Sequence, residues 1–188
     1  MKQRCFGGTD DTSLYAIYHD EEWGVPEHRD HKLFELLMLE GQQAGLSWET
    51  VLKKRKNYSA AFYDFAVEKV ADMSDESLEF LCANPGLIRN RKKIFAIRQN
   101  AKVILTIQKN FGSFKEYIWD YVQGNPILGR WSRKQEVPTQ APISREISKD
   151  LKAKGMVFVG PTIIYAYMQA IGMEKDHLTT CWKKGFQG

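Results

Sequence analysis

Six of the seven residues from Leu33 to Leu39 are apolar, and no other feature of the chain restricts its fold as strongly. Leu33, Phe34, Leu36, Leu37, Met38 and Leu39 fall within a helical stretch, residues 31–45, and point to nearly every side of it. Such a helix is stable only when neighbours surround it, so it is expected at the centre of the molecule. The rest of the periodicity supplies those neighbours. Residues 75–83 form a short amphipathic piece, and residues 90–109 carry Ile94, Ile97, Ala101, Ile104 and Leu105 at helical spacing. Phe114, Ile118, Tyr121 and Val122 mark a further short helix. Ser144 to Lys154 is a polar helix, followed through "GMVFVGPT" by the apolar helix "IIYAYMQAIG". Val157–Val159 is too short to stand as a strand without a partner. The expected fold class is all-α, with "QGNPILGRWSRKQEVPTQAP" (123–142) as the longest loop.

At 188 residues the chain can bury a sizeable interior, as one compact domain or as two lobes sharing a core. A hydrophobic share of 43% argues against disorder, and the formal charge of +4 suits an anionic partner without requiring one. No apolar run approaches the ~20 residues of a membrane span. The N-terminus "MKQRCFGGTDD" lacks the apolar stretch of a signal peptide, so a cytoplasmic location with no membrane contact is expected.

Cys5, Cys82 and Cys181 are too few and too scattered for a disulfide framework. His177 and Cys181 lie four apart, on one face if their segment is helical, while Cys5 and His19 sit near the other end of the chain. Two thiolates and two imidazoles would complete a closed zinc tetrahedron clipping the termini together. Closed coordination leaves no position for a reactive water, so the implied role is structural. Simple burial of the cysteines is the plainer alternative.

"VFVGPTIIYAYMQAIG" (157–172) reads as a tight hydrophobic-glycine hairpin opening a helix. Backbone N–H groups at such a place can hold a DNA phosphate without reading sequence, although an ordinary turn has the same outline. "CANPGLIRNRKK" (82–93) is a second candidate, with Arg89, Arg91, Lys92 and Lys93. For this run, as for Lys53–Lys56, a solvated basic face is the commoner explanation.

Glu40 lies seven residues after Leu33, four after Leu36 and three after Leu37, so it shares their apolar face. A helix-end carboxylate satisfied by a neighbouring backbone group or lysine is the plainer reading of it. The flanking sequence is crowded with rings and amides: Tyr15, Tyr18 and Trp23 in "SLYAIYHDEEWGVP", and Gln42, Gln43 and Trp48 in "QQAGLSW". A flat heteroaromatic ligand would use aromatic faces for stacking and a carboxylate to accept its N–H bonds.

Taken together, "YHDEEWGVP", "LEGQQAGLSW", "FVGPT" and the terminal "DHLTTC" resemble the DNA-3-methyladenine glycosylase I family of the helix-hairpin-helix glycosylase superfamily. The resemblance runs from about Cys5 to Cys181. It implies a single glycosylase domain over 1–188, with two helical lobes sharing a cleft, and a probe of double-stranded DNA acting as a monomer. It implies one structural zinc held by Cys5, His19, His177 and Cys181. It assigns base recognition to Glu40 and stacking to Trp48, with Tyr15, Tyr18, Trp23 and Gln43 around the base. Phe6, in a Phe6-Gly7-Gly8 pattern that departs slightly from the family's, is the candidate for the opposite stacking face. Gly160, Pro161 and Thr162 fall at the DNA-binding hairpin.

The implied reaction is hydrolysis of the N-glycosidic bond of 3-methyladenine in alkylated DNA, with the base extruded from the duplex. Free 3-methyladenine and an intact abasic site are the products. The hairpin has no lysine at Gly160–Ile163, which argues against a Schiff-base lyase. The superfamily usually carries an aspartate near here. Asp176 is the nearest, but the resembled branch is known for lacking that aspartate, so no catalytic role follows. Three other readings compete: a glycosylase for another damaged base, a non-catalytic zinc-stapled DNA-binding module, and a zinc hydrolase with three protein ligands and an open metal position.

Overall fold

A computed structural model of the chain describes residues 2–43 and 45–185. Among these residues the elements, in order, are α1 (Leu14–Glu21), α2 (Asp30–Gln43), α3 (Trp48–Ala61), α4 (Val67–Ala71), α5 (Asp75–Cys82), α6 (Arg91–Phe111), α7 (Phe114–Asp120), α8 (Pro142–Ala153) and α9 (Pro161–Ala170). Two short strands, β1 (Ile127–Leu128) and β2 (Glu174–Lys175), pair in parallel, with Ile127 opposite Glu174. No helix here is long and apolar enough to cross a membrane.

The central helix is α2. Leu33, Phe34, Leu37 and Leu39 are fully buried, and α3, α6, α7 and α9 pack around it. Its neighbours start where the sequence places capping side chains. Ser13, Ser47, Ser74, Asn90 and Ser113 each accept a backbone N–H of the first turn of α1, α3, α5, α6 and α7. Each cap of this kind contributes about 1 kcal/mol. Along α6, Ile94, Ile97, Ala101, Ile104 and Ile107 make the buried stripe that meets α2 and α4.

Helices α8 and α9 pack side by side, joined by an irregular turn over 154–160. Asn100 of α6 holds that turn through both Val157 N–H (3.0 Å) and Val157 C=O (2.9 Å), and Ser148 Oγ donates to the Val159 carbonyl at 2.6 Å. These bonds use up the backbone groups that a strand at 157–159 would have needed. The turn also presses on α2. A Cβ on Gly41 would lie 3.3 Å from the Phe158 carbonyl oxygen, so a glycine next to Glu40 lets the turn approach.

Several expectations change. Periodicity gave no reading for α1, α3 or α4. The basic runs are not uniform solvated faces. Arg55 is half-buried between Glu22 and Glu35 (2.8 Å each), and Lys93 is buried with Nζ donating to the Gln42 carbonyl at 2.7 Å. Lys93 thus satisfies a carbonyl at the end of α2 rather than facing DNA.

Candidate base-binding cleft and metal centre

Three elements bring the ring-bearing residues together. α1 carries Tyr15 and Tyr18, the turn after it carries Trp23, and the N-terminal segment folds across both with Phe6. Phe6 lies 4.7 Å from Tyr15 and 4.9 Å, edge-on, from Trp23 (centroid distances). On the α3 side, Trp48 begins the helix capped by Ser47 and sits 5.4 Å from Tyr18. Between them is a cleft of about 480 Å³, whose lining includes Phe6, Tyr15, Tyr18, Trp23, Glu40, Gln43 and Trp48. All seven candidate base-contacting residues therefore border one space. Thr162 borders it too, while Gly160 caps α9 and Pro161 occupies its first position.

Gln42 is the exception among the flanking amides. It turns away from the cleft, accepting from Tyr58 Oη (3.0 Å) and donating to the Lys93 carbonyl (3.4 Å). One helical step separates it from Gln43, and that step is enough to change sides.

Glu40 is the electrostatic anomaly. It is buried, and no hydrogen bond to its carboxyl is present among the described residues. Burial alone pushes it up to about 8, because the charged form loses its water without gaining a partner. Burial and then the Glu40 charge push the Tyr15 and Tyr18 phenols up as well, so both rings lie in its field. The indole Nε1–H of Trp48 is also buried without an acceptor among the described residues. Unsatisfied buried polar groups are uncommon in folded proteins. The Glu40 carboxyl and the Trp48 indole N–H thus leave an acceptor and a donor unpaired in residues that border one aromatic cleft.

Sequence reasoning missed the outer wall of the cleft. The 123–142 loop contributes Lys134, Val137, Pro138 and Thr139, and α9 and its successor contribute Tyr165, Gln169 and Asp176. Asp176 is almost completely buried and fully engaged. Its Oδ1 accepts from Trp131 Nε1 (2.6 Å), and its Oδ2 from Tyr165 Oη (2.6 Å) and Gln169 Nε2 (2.8 Å). No local spacing signals this wall, because Trp131 is the single tryptophan of the 123–142 loop and its partner Asp176 lies 45 residues away.

Beside the cleft, Cys5, His19, His177 and Cys181 place their ligand atoms within 4.8 Å of one another. Sγ of Cys181 lies 3.4 Å from His19 Nε2 and 3.6 Å from His177 Nδ1, and Sγ of Cys5 lies 3.6 Å from His177 Nδ1. Zinc–sulfur and zinc–nitrogen bonds of ordinary length subtend a tetrahedral edge of about 3.5 Å, so this S2N2 set fits a metal ion. The outer ring nitrogens are also satisfied: His19 Nδ1 at 2.9 Å from Asp20 Oδ1, and His177 Nε2 at 3.2 Å from the Trp23 carbonyl. Such partners fix the tautomer that directs the other nitrogen inward. The His177–Cys181 segment is a turn and not a helix, so the four-residue spacing works through a chain reversal. Gly24, at φ +76°, leaves room for His177, whose Nε2 would lie 2.9 Å from a Cβ there.

The chain is thus a helical protein whose aromatic cleft holds an unpartnered carboxyl and lies beside a Cys2His2 cluster able to hold a metal ion. Comparison with known proteins makes the class specific. The methyladenine glycosylase family model matches residues 8–184, and the chain belongs to that family. DNA-3-methyladenine glycosylase 1 of Escherichia coli (strain K12) is 47% identical over 179 residues, covering 95% of each chain. The DNA-3-methyladenine glycosylase of Haemophilus influenzae is 46% identical over 181 residues, covering 96% of this chain and 97% of its own. A tyrosine-to-phenylalanine variant of 3-methyladenine DNA glycosylase I, solved in complex with 3-methyladenine, superposes with a TM-score of 0.93 at 38% identity, covering 98% of this chain and 99% of its own.

Proposed function

We infer that this chain is a DNA glycosylase that hydrolyses the N-glycosidic bond of 3-methyladenine in alkylated double-stranded DNA, releasing the free base. The observation that carries the reading is the buried Glu40 carboxyl, without a protein partner, in a cleft walled by Tyr15, Tyr18, Trp23 and Trp48. The relative solved with 3-methyladenine bound supports the same ligand class.

Methylation at N3 makes the nucleobase a cation. In the empty cleft Glu40 is largely protonated near neutral pH. A cationic ring beside it stabilises the carboxylate, which then accepts from the exocyclic amine of adenine. Unmodified adenine brings no such charge, and guanine presents a carbonyl oxygen where the amine is needed. Trp48 and the facing rings stabilise the cation by stacking, about 1–2 kcal/mol for each well-placed ring. Water then bonds to the anomeric carbon through an oxocarbenium-like state. The glycosidic electron pair leaves with the base and neutralises it, and the water's proton passes to solvent.

In this reading residues 1–188 act as one catalytic unit, with two helical lobes sharing the cleft. The α8–α9 pair is a helix-hairpin-helix element whose Gly160-Pro161-Thr162 end contacts the DNA backbone. Cys5, His19, His177 and Cys181 hold one zinc. Four protein donors leave no open position, which favours a structural staple over a zinc hydrolase. The non-catalytic module leaves Glu40 without a purpose. Incubating the protein with methylated and with deaminated or oxidised duplexes, and identifying released bases by chromatography, tests the reading. Free 3-methyladenine from the methylated duplex alone is expected. Release of another base instead, or none, would overturn it.

A further inference from the structure

Holding the base accounts for only part of an extruded nucleotide. Its sugar and two flanking phosphodiesters remain outside the base site, and residues 131–140 bring Lys134, Val137, Pro138 and Thr139 to the cleft.

This segment is fastened at several places. Trp131 Nε1 donates to Asp176, whose other oxygen is held by Tyr165 and Gln169 of α9. The Thr179 N–H donates to the Trp131 carbonyl at 2.8 Å, two residues from the metal ligand Cys181. At the far end Gln140 Nε2 donates to Thr162 Oγ1 at 3.1 Å, joining the segment to the first turn of α9. The rim is therefore a fixed wall and not a free loop.

On that wall Lys134 is exposed and borders the cleft. The nearest acid in sequence does not neutralise it. Glu136 is occupied by Arg133 Nε at 2.9 Å and by the N–H groups of Ser132 (2.8 Å) and Arg133 (3.1 Å). No ion pair to Lys134 is present among the described residues. Close by, through Gln140, lies the N-terminus of the ten-residue α9. Pro161 has no N–H, and the Ile164 N–H bonds to the Gly160 carbonyl at 2.9 Å. The N–H groups of Thr162 and Ile163 are thus left at the positive end of the helix. A lysine without an acid and a helix N-terminus share one rim, while the acidic and aromatic groups lie further inside.

We propose that Lys134 binds a phosphodiester flanking the extruded nucleotide, next to the phosphate that the start of α9 receives. The 131–140 wall then grips the damaged strand on the side opposite the stacking rings. The proposal rests on the glycosylase reading, and its test separates the two. Lys134→Ala and Lys134→Arg are compared with the unaltered protein for methylated-duplex affinity over a salt series, and for affinity toward free 3-methyladenine, which has no phosphate. Lys134→Ala should weaken duplex binding by roughly tenfold at low salt and reduce the log–log salt slope by about 1. Lys134→Arg should restore both, and free-base affinity should stay unchanged in each variant. An unchanged salt slope in Lys134→Ala, or a parallel loss of free-base binding, would overturn the proposal while base release by the unaltered protein still upheld the glycosylase reading.

Discussion

The His19 Nδ1–H points at Asp20 Oδ1, 2.9 Å away, and this bond decides which nitrogen of the ring faces the cysteines. Asp20 is held in turn by Arg4 Nε at 2.9 Å and Trp182 Nε1 at 3.1 Å, so groups from both ends of the chain steady one imidazole of the Cys/His cluster. Carboxylate–histidine pairs of this kind typically strengthen metal binding 10–100-fold.

Asp20→Ala is accordingly expected to lose zinc to a competing chelator at about one-tenth the concentration that strips the unaltered protein. Elemental analysis of freshly purified protein should give one zinc per chain, and stripping should lower Tm, since a structural metal contributes directly to folding. Equal chelator resistance in Asp20→Ala and the parent would remove Asp20 from this role.

Glu40→Gln should lose base release far more than duplex binding, because the amide keeps the shape and discards the charge. The same change should stabilise the fold. The folded-state value of Glu40, about 8, lies above its ordinary 4.5, so the folded protein holds this proton more tightly. Stability from Glu40 is thus fullest below about 4.5 and declines as pH rises toward 8. The unfolding free-energy advantage of Glu40→Gln should widen across that window, by up to a few kcal/mol, as followed by urea denaturation at each pH. For the parent, kcat/KM should climb with pH and level off above about 8. A flat profile in both measurements would contradict the assignment.

Lys93→Met should destabilise the protein by about 1–3 kcal/mol, since it removes a charged donor from the buried Gln42 carbonyl. Urea denaturation would measure it. Duplex salt dependence should hardly change, because Lys93 is buried; a clear fall in the salt slope would return it to the DNA-contacting set.

Borohydride present during turnover should trap no protein–DNA adduct. The hairpin has no amine at Gly160–Ile163, and although Lys134 borders the cleft, we place its ammonium on phosphate and not at the anomeric carbon. An adduct that disappears in Lys134→Ala would show that this lysine reaches the sugar.

Much was legible from the chain alone because it was written in local spacing or residue chemistry. The density of Leu33–Leu39 required a surrounded helix, and α2 is central. The polarity of Glu40 on that apolar face singled it out, and the Cys5/His19 and His177/Cys181 pairs, with the family resemblance, suggested four candidate metal ligands. Each of these depends on what a residue is, or on neighbours within a few turns.

The remainder was decided by contacts between distant segments. Helix phase turns Gln42 and Gln43 to different sides, but only the fold supplies Tyr58 and the backbone of Lys93 to hold the first in the core and a cleft for the second to border. Lys93 and Lys134 look alike in sequence. Only packing buries the first against the end of α2 and leaves the second beside the cleft. Asp176 gains its three donors from the 123–142 loop and α9, and the His177–Cys181 turn completes a cluster able to hold a metal only where it meets Cys5 and His19. Sequence determined which side chains were available and which helices had to be buried. Tertiary structure decided which polar groups found partners and which, like Glu40, were left without one, because long-range partners set the desolvation balance of a buried group.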